Sequence, residues 1–196
     1  MKKLKSDTEV IRQIFQHIDA GTTDLGESDW KEPVENYTSE KRFDAELNLL
    51  KCLPVAFAPS AALLDEGSYI ARPVAGVPII VVRDKSKQLR AFRNACRHRG
   101  KTLVEGEGKT SVFRCRYHGW TYGIDGSLQY VPHEAGFPGL DHGCHGLMPI
   151  HGVIEQGGLV YVCIEEPFDQ GALGNMPQII KDDQKIFDSN EYSQAF

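Results

Sequence analysis

Two short segments constrain this chain more than anything else in it: Cys96-Arg97-His98 and Cys115-Arg116-Tyr117-His118, which together read C-x-H-x16-C-x2-H. Each arm offers one thiolate and one imidazole. Two loops built this way can grip one object from opposite sides, so the fold must present both loops at one end of a rigid frame. A 2Fe–2S cluster with two thiolates on one iron and two imidazoles on the other uses this inventory. Zinc also accepts two Cys and two His tetrahedrally, although zinc motifs usually pair like with like within an arm. Here both arms are mixed.

The longer run Asn94-Ala95-Cys96-Arg97-His98-Arg99-Gly100, then Cys115-Arg116-Tyr117-His118-Gly119-Trp120-Thr121-Tyr122 and Asp125-Gly126, resembles the Rieske non-haem iron oxygenases. More narrowly it is similar to the N-terminal Rieske [2Fe–2S] domain of the α (large) subunit of aromatic-ring-hydroxylating oxygenases. The resemblance runs from about Val34 to Pro167. It implies that Cys96 and Cys115 hold the buried iron and that His98 and His118 hold the outer one. It implies a ferredoxin or flavin reductase as electron donor. The acceptor it implies is an oxygenase catalytic domain, of the same or a neighbouring subunit, carrying a mononuclear non-haem iron.

Respiratory and photosynthetic Rieske proteins carry an extra Cys in each loop, joined as a disulfide. The matching positions here are Lys101 and Tyr117, so that clip cannot form. Their Ser near a cluster sulfur is matched by Trp120. Fewer donors to the sulfurs leave the reduced cluster less stabilised, so the expected potential lies low in the Rieske range.

A length of 196 residues suits one domain with a short appendage. Met1-Lys2-Lys3-Leu4-Lys5 is followed by Ser6-Asp7-Thr8-Glu9 and not by an apolar core. No export signal and no membrane span are therefore expected, and a cytoplasmic location is. Of five Cys, Cys52, Cys144 and Cys163 are left over, and each is expected to be a small buried apolar residue.

Net charge is −5, yet the stretch from Arg83 to His118 holds eleven Lys or Arg against three acids. No nucleic-acid-binding motif accompanies it. Arg97, Arg99, Arg114 and Arg116 flank the motif and fit either an ordinary solvated face or a docking face for an acidic partner.

Three regions are expected: a helical leader over 1–52, the cluster domain over 53–168, and a linker or tail over 169–196 with a short helix from 178. Ser6-x-x-Glu9 has capping-box form ahead of an apolar stripe, Val10, Ile11, Ile14, Phe15 and Ile18, that runs to Gly21. A second helix is expected from Thr38 or Ser39, with Phe43, Leu47, Leu50 and Cys52 facing inward. Strands are expected at 54–58, 69–74, 77–83, 89–94, 111–114, 120–123, 127–131, 149–154 and 158–164, with hairpin turns at Asp125-Gly126 and Gly157-Gly158. The pattern predicts an all-β antiparallel sandwich or small barrel behind N-terminal helices, α+β overall.

A mononuclear iron site needs two His and a carboxylate, and no His follows His151. The resemblance thus covers the electron-relay part of such an enzyme, and the chain by itself is not expected to hydroxylate. Asp141, His142, Cys144, His145 and His151 cluster in sequence, but Gly139, Gly143, Gly146 and Pro149 break any helix there. A loop packed near the cluster fits better than a second metal site, and Asp141 and His142 are candidate hydrogen-bond partners for a ligand His. His17 and His133 are expected at the surface, and Trp120 and Tyr122 as packing residues at the loop base. A stand-alone Rieske ferredoxin-like carrier or redox sensor is the alternative function.

Overall fold

The structure is a computed structural model that describes residues 5–25 and 28–165. The tail expected over 169–196 lies outside the described residues. Two compact units divide between Ser39 and Glu40.

In the first unit, α1 (Asp7–Ala20) starts where the capping box places it. The Glu9 carboxylate accepts from Ser6 N and Ser6 Oγ, both at 2.8 Å. Gly21 ends the helix in the left-handed region at φ 61°. His17 is partly buried, its Nδ1 3.0 Å from Thr22 Oγ1. A one-turn helix, α2 (Glu35–Thr38), follows.

The second unit opens with α3 (Glu40–Cys52), which corrects one expectation: none of its residues is buried. Phe43, Leu50 and Cys52 are exposed and only Leu47 is partly covered. Helical periodicity shows that an apolar stripe exists, not that an element of the same chain covers it.

Among the described residues ten strands follow in three antiparallel sheets. One sheet has the order β1 (Val55–Pro59), β10 (Leu159–Cys163), β9 (Gly152–Gln156). The central sheet runs β4 (Leu89–Arg93), β3 (Val77–Arg83), β2 (Ser68–Val74), β5 (Gly106–Lys109). The third runs β6 (Val112–Arg114), β7 (Thr121–Gly123), β8 (Leu128–Tyr130).

The central sheet separates two cores, and alternation along β3 explains how. Ile79 and Val81 join Phe57, Leu63, Val160 and Val162 in one core. Ile80 and Val82 join Phe92, Phe113, Trp120 and Tyr122 in the other. A strand buried on both faces needs a continuous apolar run, and Ile79-Ile80-Val81-Val82 is one, each residue fully buried. Burial of each is worth roughly 1.5–3 kcal/mol. Arg83, at the end of β3, donates in bidentate fashion to Glu155 of β9 at 2.8 and 2.9 Å and to Leu63 O at 2.7 Å. This residue of the basic stretch is thereby spent on joining two sheets.

The β-branched runs lie where the sequence placed them. Strand β5 was not anticipated: Gly106-Glu107-Gly108-Lys109 has no strand propensity and forms by pairing with the edge of β2. The expected strand 149–154 is displaced to β9, with only Pro149 bridging to Phe92.

Candidate metal centre

Both arms project from the second core, and their backbones close in the same way. In the first arm, Cys96 N donates to Lys101 O and Gly100 N to Cys96 O, both at 2.8 Å. In the second, Cys115 N donates to Trp120 O at 2.8 Å and Gly119 N to Cys115 O at 3.0 Å. Each loop turns through a glycine at positive φ, 69° at Gly100 and 75° at Gly119.

The bases of the arms differ. The second arm caps the β6–β7 hairpin, with Arg114 opposite Thr121. The first has no hairpin beneath it and relies on Asn94, which is buried. The Asn94 side chain donates to Val104 O at 2.7 Å and accepts from Leu103 N at 3.0 Å and Val104 N at 3.3 Å. Its own N–H donates to Pro78 O of β3 at 2.9 Å.

These frames bring the four motif residues together as two pairs. Cys96 and Cys115 are each 3% exposed, with the Cys115 thiol against the Cys96 sulfur. Burial pushes the Cys96 thiol pKa up, and Cys115 adds to that, against bonds from Tyr122 and the His98 amide. His98 and His118 lie outward, their Nδ1 atoms 3.1 Å apart. Burial lowers the His98 pKa, with repulsion from His118 and Arg99 adding to it.

The donor set fits a two-iron cluster. Nitrogens bound to one metal at ~2.1 Å lie roughly 3.0–3.4 Å apart, so the imidazole pair is spaced for a shared metal. Among the described residues no three His, Cys, Asp or Glu side chains converge on a single metal position. A tetrahedral zinc site would need all four ligands around one point; two separate pairs match one iron per pair.

Sequence reading missed the bonding roles of two residues here. Asn94 is one; a polar residue at the end of an apolar strand was its available signal. Tyr122 is the other. Its hydroxyl accepts from Arg97 N at 2.9 Å and lies 3.3 Å from Cys96 Sγ. With the oxygen already accepting, its proton is directed to the sulfur once that sulfur is a thiolate. Burial first, then the bond to Cys96, holds the phenol well above the ordinary tyrosine range. Trp120, Tyr122 and Ile124 alternate inward, and a buried Tyr hydroxyl requires a partner.

Other expectations are corrected. Neither Asp141 nor His142 bonds a ligand His: Asp141 caps Gly143 N, and His142 lies between Leu128 O and Glu134. Cys163 is buried, whereas Cys52 and Cys144 are exposed. Arg97, Arg99, Arg114 and Arg116 are exposed and form no ion pair among the described residues. No helix among the described residues is long and apolar enough to cross a membrane.

Residues 54–142 match the Rieske [2Fe-2S] domain family. The chain carries a Rieske [2Fe–2S] domain of the kind found in the large subunits of Rieske oxygenases. It is 38% identical over 131 residues to the large oxygenase component of the naphthalene 1,2-dioxygenase system of Pseudomonas aeruginosa, covering 65% of this chain and 29% of that one. It is 33% identical over 135 residues to the carnitine monooxygenase oxygenase subunit of Escherichia coli strain K12, covering 68% and 36%. Among solved structures, a quaternary ammonium Rieske monooxygenase in complex with L-carnitine superposes with a TM-score of 0.71 at 30% identity, over 80% of this chain and 44% of that one. Naphthalene 1,2-dioxygenase from Rhodococcus sp. does so with a TM-score of 0.64 at 28% identity, over 82% and 36%. The chain thus spans about a third of the length of these two curated relatives.

Proposed function

We propose that this chain is the electron-relay domain of a ring-hydroxylating-type oxygenase α subunit, with its cluster held by Cys96, His98, Cys115 and His118. The relay domain extends over about 53–168, behind a leader over 1–52. The observation that carries the reading is the paired geometry: two buried sulfurs inward, and two imidazole nitrogens 3.1 Å apart outward. When bound, the cluster supplies one-electron chemistry at a potential raised by its imidazole ligands.

The chain's own residues do the remaining work. Trp120, Leu103 and Phe113 keep water from the sulfur side. Tyr122 directs a proton toward Cys96 Sγ and so favours the more negative, reduced state. His98 and His118 form the outer edge, the shortest route for an electron to enter or leave. The unpaired guanidiniums of Arg97, Arg99, Arg114 and Arg116 suit a docking partner with an acidic face, a ferredoxin or flavin reductase. The acceptor is a mononuclear iron in an oxygenase catalytic domain. Relatives named for naphthalene and carnitine support a substrate of the full-length enzyme among aromatic rings or quaternary amines.

The test is EPR of the anaerobically purified, dithionite-reduced protein with iron, sulfide and zinc quantified. A rhombic signal with average g near about 1.9, and two irons and two sulfides per chain, is the expected result. A colourless protein holding one zinc overturns the reading.

A further inference from the structure

The segment from Pro132 to Leu147 holds Asp141, His142, Cys144 and His145, none of which the proposed relay uses. Their polar groups fold the segment itself. Asp141 accepts from Gly143 N at 2.8 Å and Cys144 Sγ at 3.0 Å, and His145 Nδ1 lies 2.7 Å from Asp141 O. His142 Nδ1 lies 3.0 Å from Leu128 O and its Nε2 2.8 Å from Glu134. Leu147 N donates to Gly126 O at 2.7 Å, which fixes the far end.

Toward the second core this segment presents aromatic rings. Phe137 sets its ring perpendicular to His98 (5.8 Å, 88°) and to Trp120 (5.7 Å, 83°). His98 and Trp120 are stacked nearly parallel at 5.1 Å and 5°. The His145 ring closes on Trp120 at 6.3 Å. Around His118 there is much less. Among the described residues its ring stacks, at 3.8 Å, only on Tyr117, itself 58% exposed, and meets the edge of His98.

An imidazole bonded to a metal through one nitrogen still turns about that bond. A parallel ring on its face and a perpendicular ring against it remove that freedom, because aromatic pairs favour these two geometries. We propose that Trp120 and Phe137 are positioning residues that lock the ring plane of His98. The 132–147 segment is then the wall that holds Phe137 in place, so His98 is the fixed imidazole and His118 the compliant one. This rests on the ligand assignment above.

Pulsed EPR of the reduced holoprotein resolves the nitrogen couplings of the two ligand histidines and tests the idea directly. Phe137→Ala should broaden one coupling, leave the other unchanged, and shift the potential. Tyr117→Ala, beside the already compliant His118, should leave the sharper coupling unchanged. Trp120→Phe keeps a stacking ring and should leave both couplings near the parent values. Phe137→Leu, which keeps volume without the ring, should reproduce the one-sided effect if the Ala variant is too unstable to purify. Two unchanged couplings and an unchanged potential in the Phe137 variants would overturn the proposal, and so would equal broadening of both. A parent protein without iron and sulfide refutes the ligand assignment itself, a separate outcome.

Discussion

The two arms that meet at the candidate cluster share one backbone design and are secured by different means. Each closes through a Cys amide bonded five residues ahead and a positive-φ glycine bonded back to the Cys carbonyl. The second arm inherits its rigidity from a hairpin, so its base is made of ordinary ladder bonds. The first arm spans a gap between strands, and one buried amide side chain replaces the missing ladder. The outer ends reverse the order. His98, on the arm without a hairpin, is enclosed by rings, while His118, on the hairpin, is exposed. Where backbone pairing is absent, side chains supply the constraint, and stability there rests on fewer residues.

The largest expected effect separates the bases. Asn94→Ala leaves two amide N–H groups and one carbonyl without their side-chain partner. At 1–3 kcal/mol for a buried unsatisfied group, partly relieved by water, a loss on the order of 3 kcal/mol follows. Thr121→Ala at the base of the other arm should cost less than ~1 kcal/mol, since it removes only a side-chain bond to Gly119 O. Denaturant titration of both variants reads the difference, and equal losses would dissolve the distinction.

A smaller contrast lies at the turns. A Cβ at Gly119 meets Pro132 Cγ at 2.9 Å, whereas a Cβ at Gly100 meets nothing within 4 Å. Both substitutions carry left-handed strain of about 1–2 kcal/mol. Gly119→Ala adds the collision and should lower the melting temperature further than Gly100→Ala, as calorimetry would show.

Tyr122 joins the arms, rising from β7 to the first arm. Tyr122→Phe removes the O–H at Cys96 Sγ, and a change of about 1–2 kcal/mol between redox states corresponds to roughly 40–80 mV downward. Protein-film voltammetry measures it; an unchanged potential would make Tyr122 a packing residue only.

The smallest effect is a pH dependence in the wall beside His98. The bond to Glu134 raises the His142 pKa, with the Leu128 carbonyl and the Glu134 and Asp141 charges adding to it, against slight burial. A raised folded value means the contribution is fully present below the unfolded pKa, about 6.5, and is lost as pH rises through the folded one. Stability measured across this range should fall slightly on the alkaline side, and His142→Gln should flatten that slope.

Much of this was legible in the residues. The β-branched run Ile79 to Val82 read as a core strand, and Ser6 with Glu9 marked the start of α1. The four motif residues that the spacing singled out come together as two pairs. What escaped has common causes. β5 exists because β2 offers an edge, and nothing in Gly106 to Lys109 announces that. The apolar face of α3 was visible, but periodicity does not say what lies opposite. Asn94 and Tyr122 act through single directed bonds, and a lone polar side chain leaves no period to detect. The clustered Asp141, His142, Cys144 and His145 form a packed loop, as expected, but their polar groups bond within it and neither Asp141 nor His142 reaches a ligand His.

Strand β3 is paired on both edges, by β2 and β4, and enclosed on both faces. Its amides can therefore exchange with deuterium only when both cores part, so their protection reports the global unfolding free energy. Through Asn94 and Pro78 the first arm is tethered to this slowest-exchanging element. An opening that peels away β5 or β9 leaves that tether intact, whereas one that lifts β4 breaks it, so retention of the cluster should follow exchange across the β3–β4 pairing.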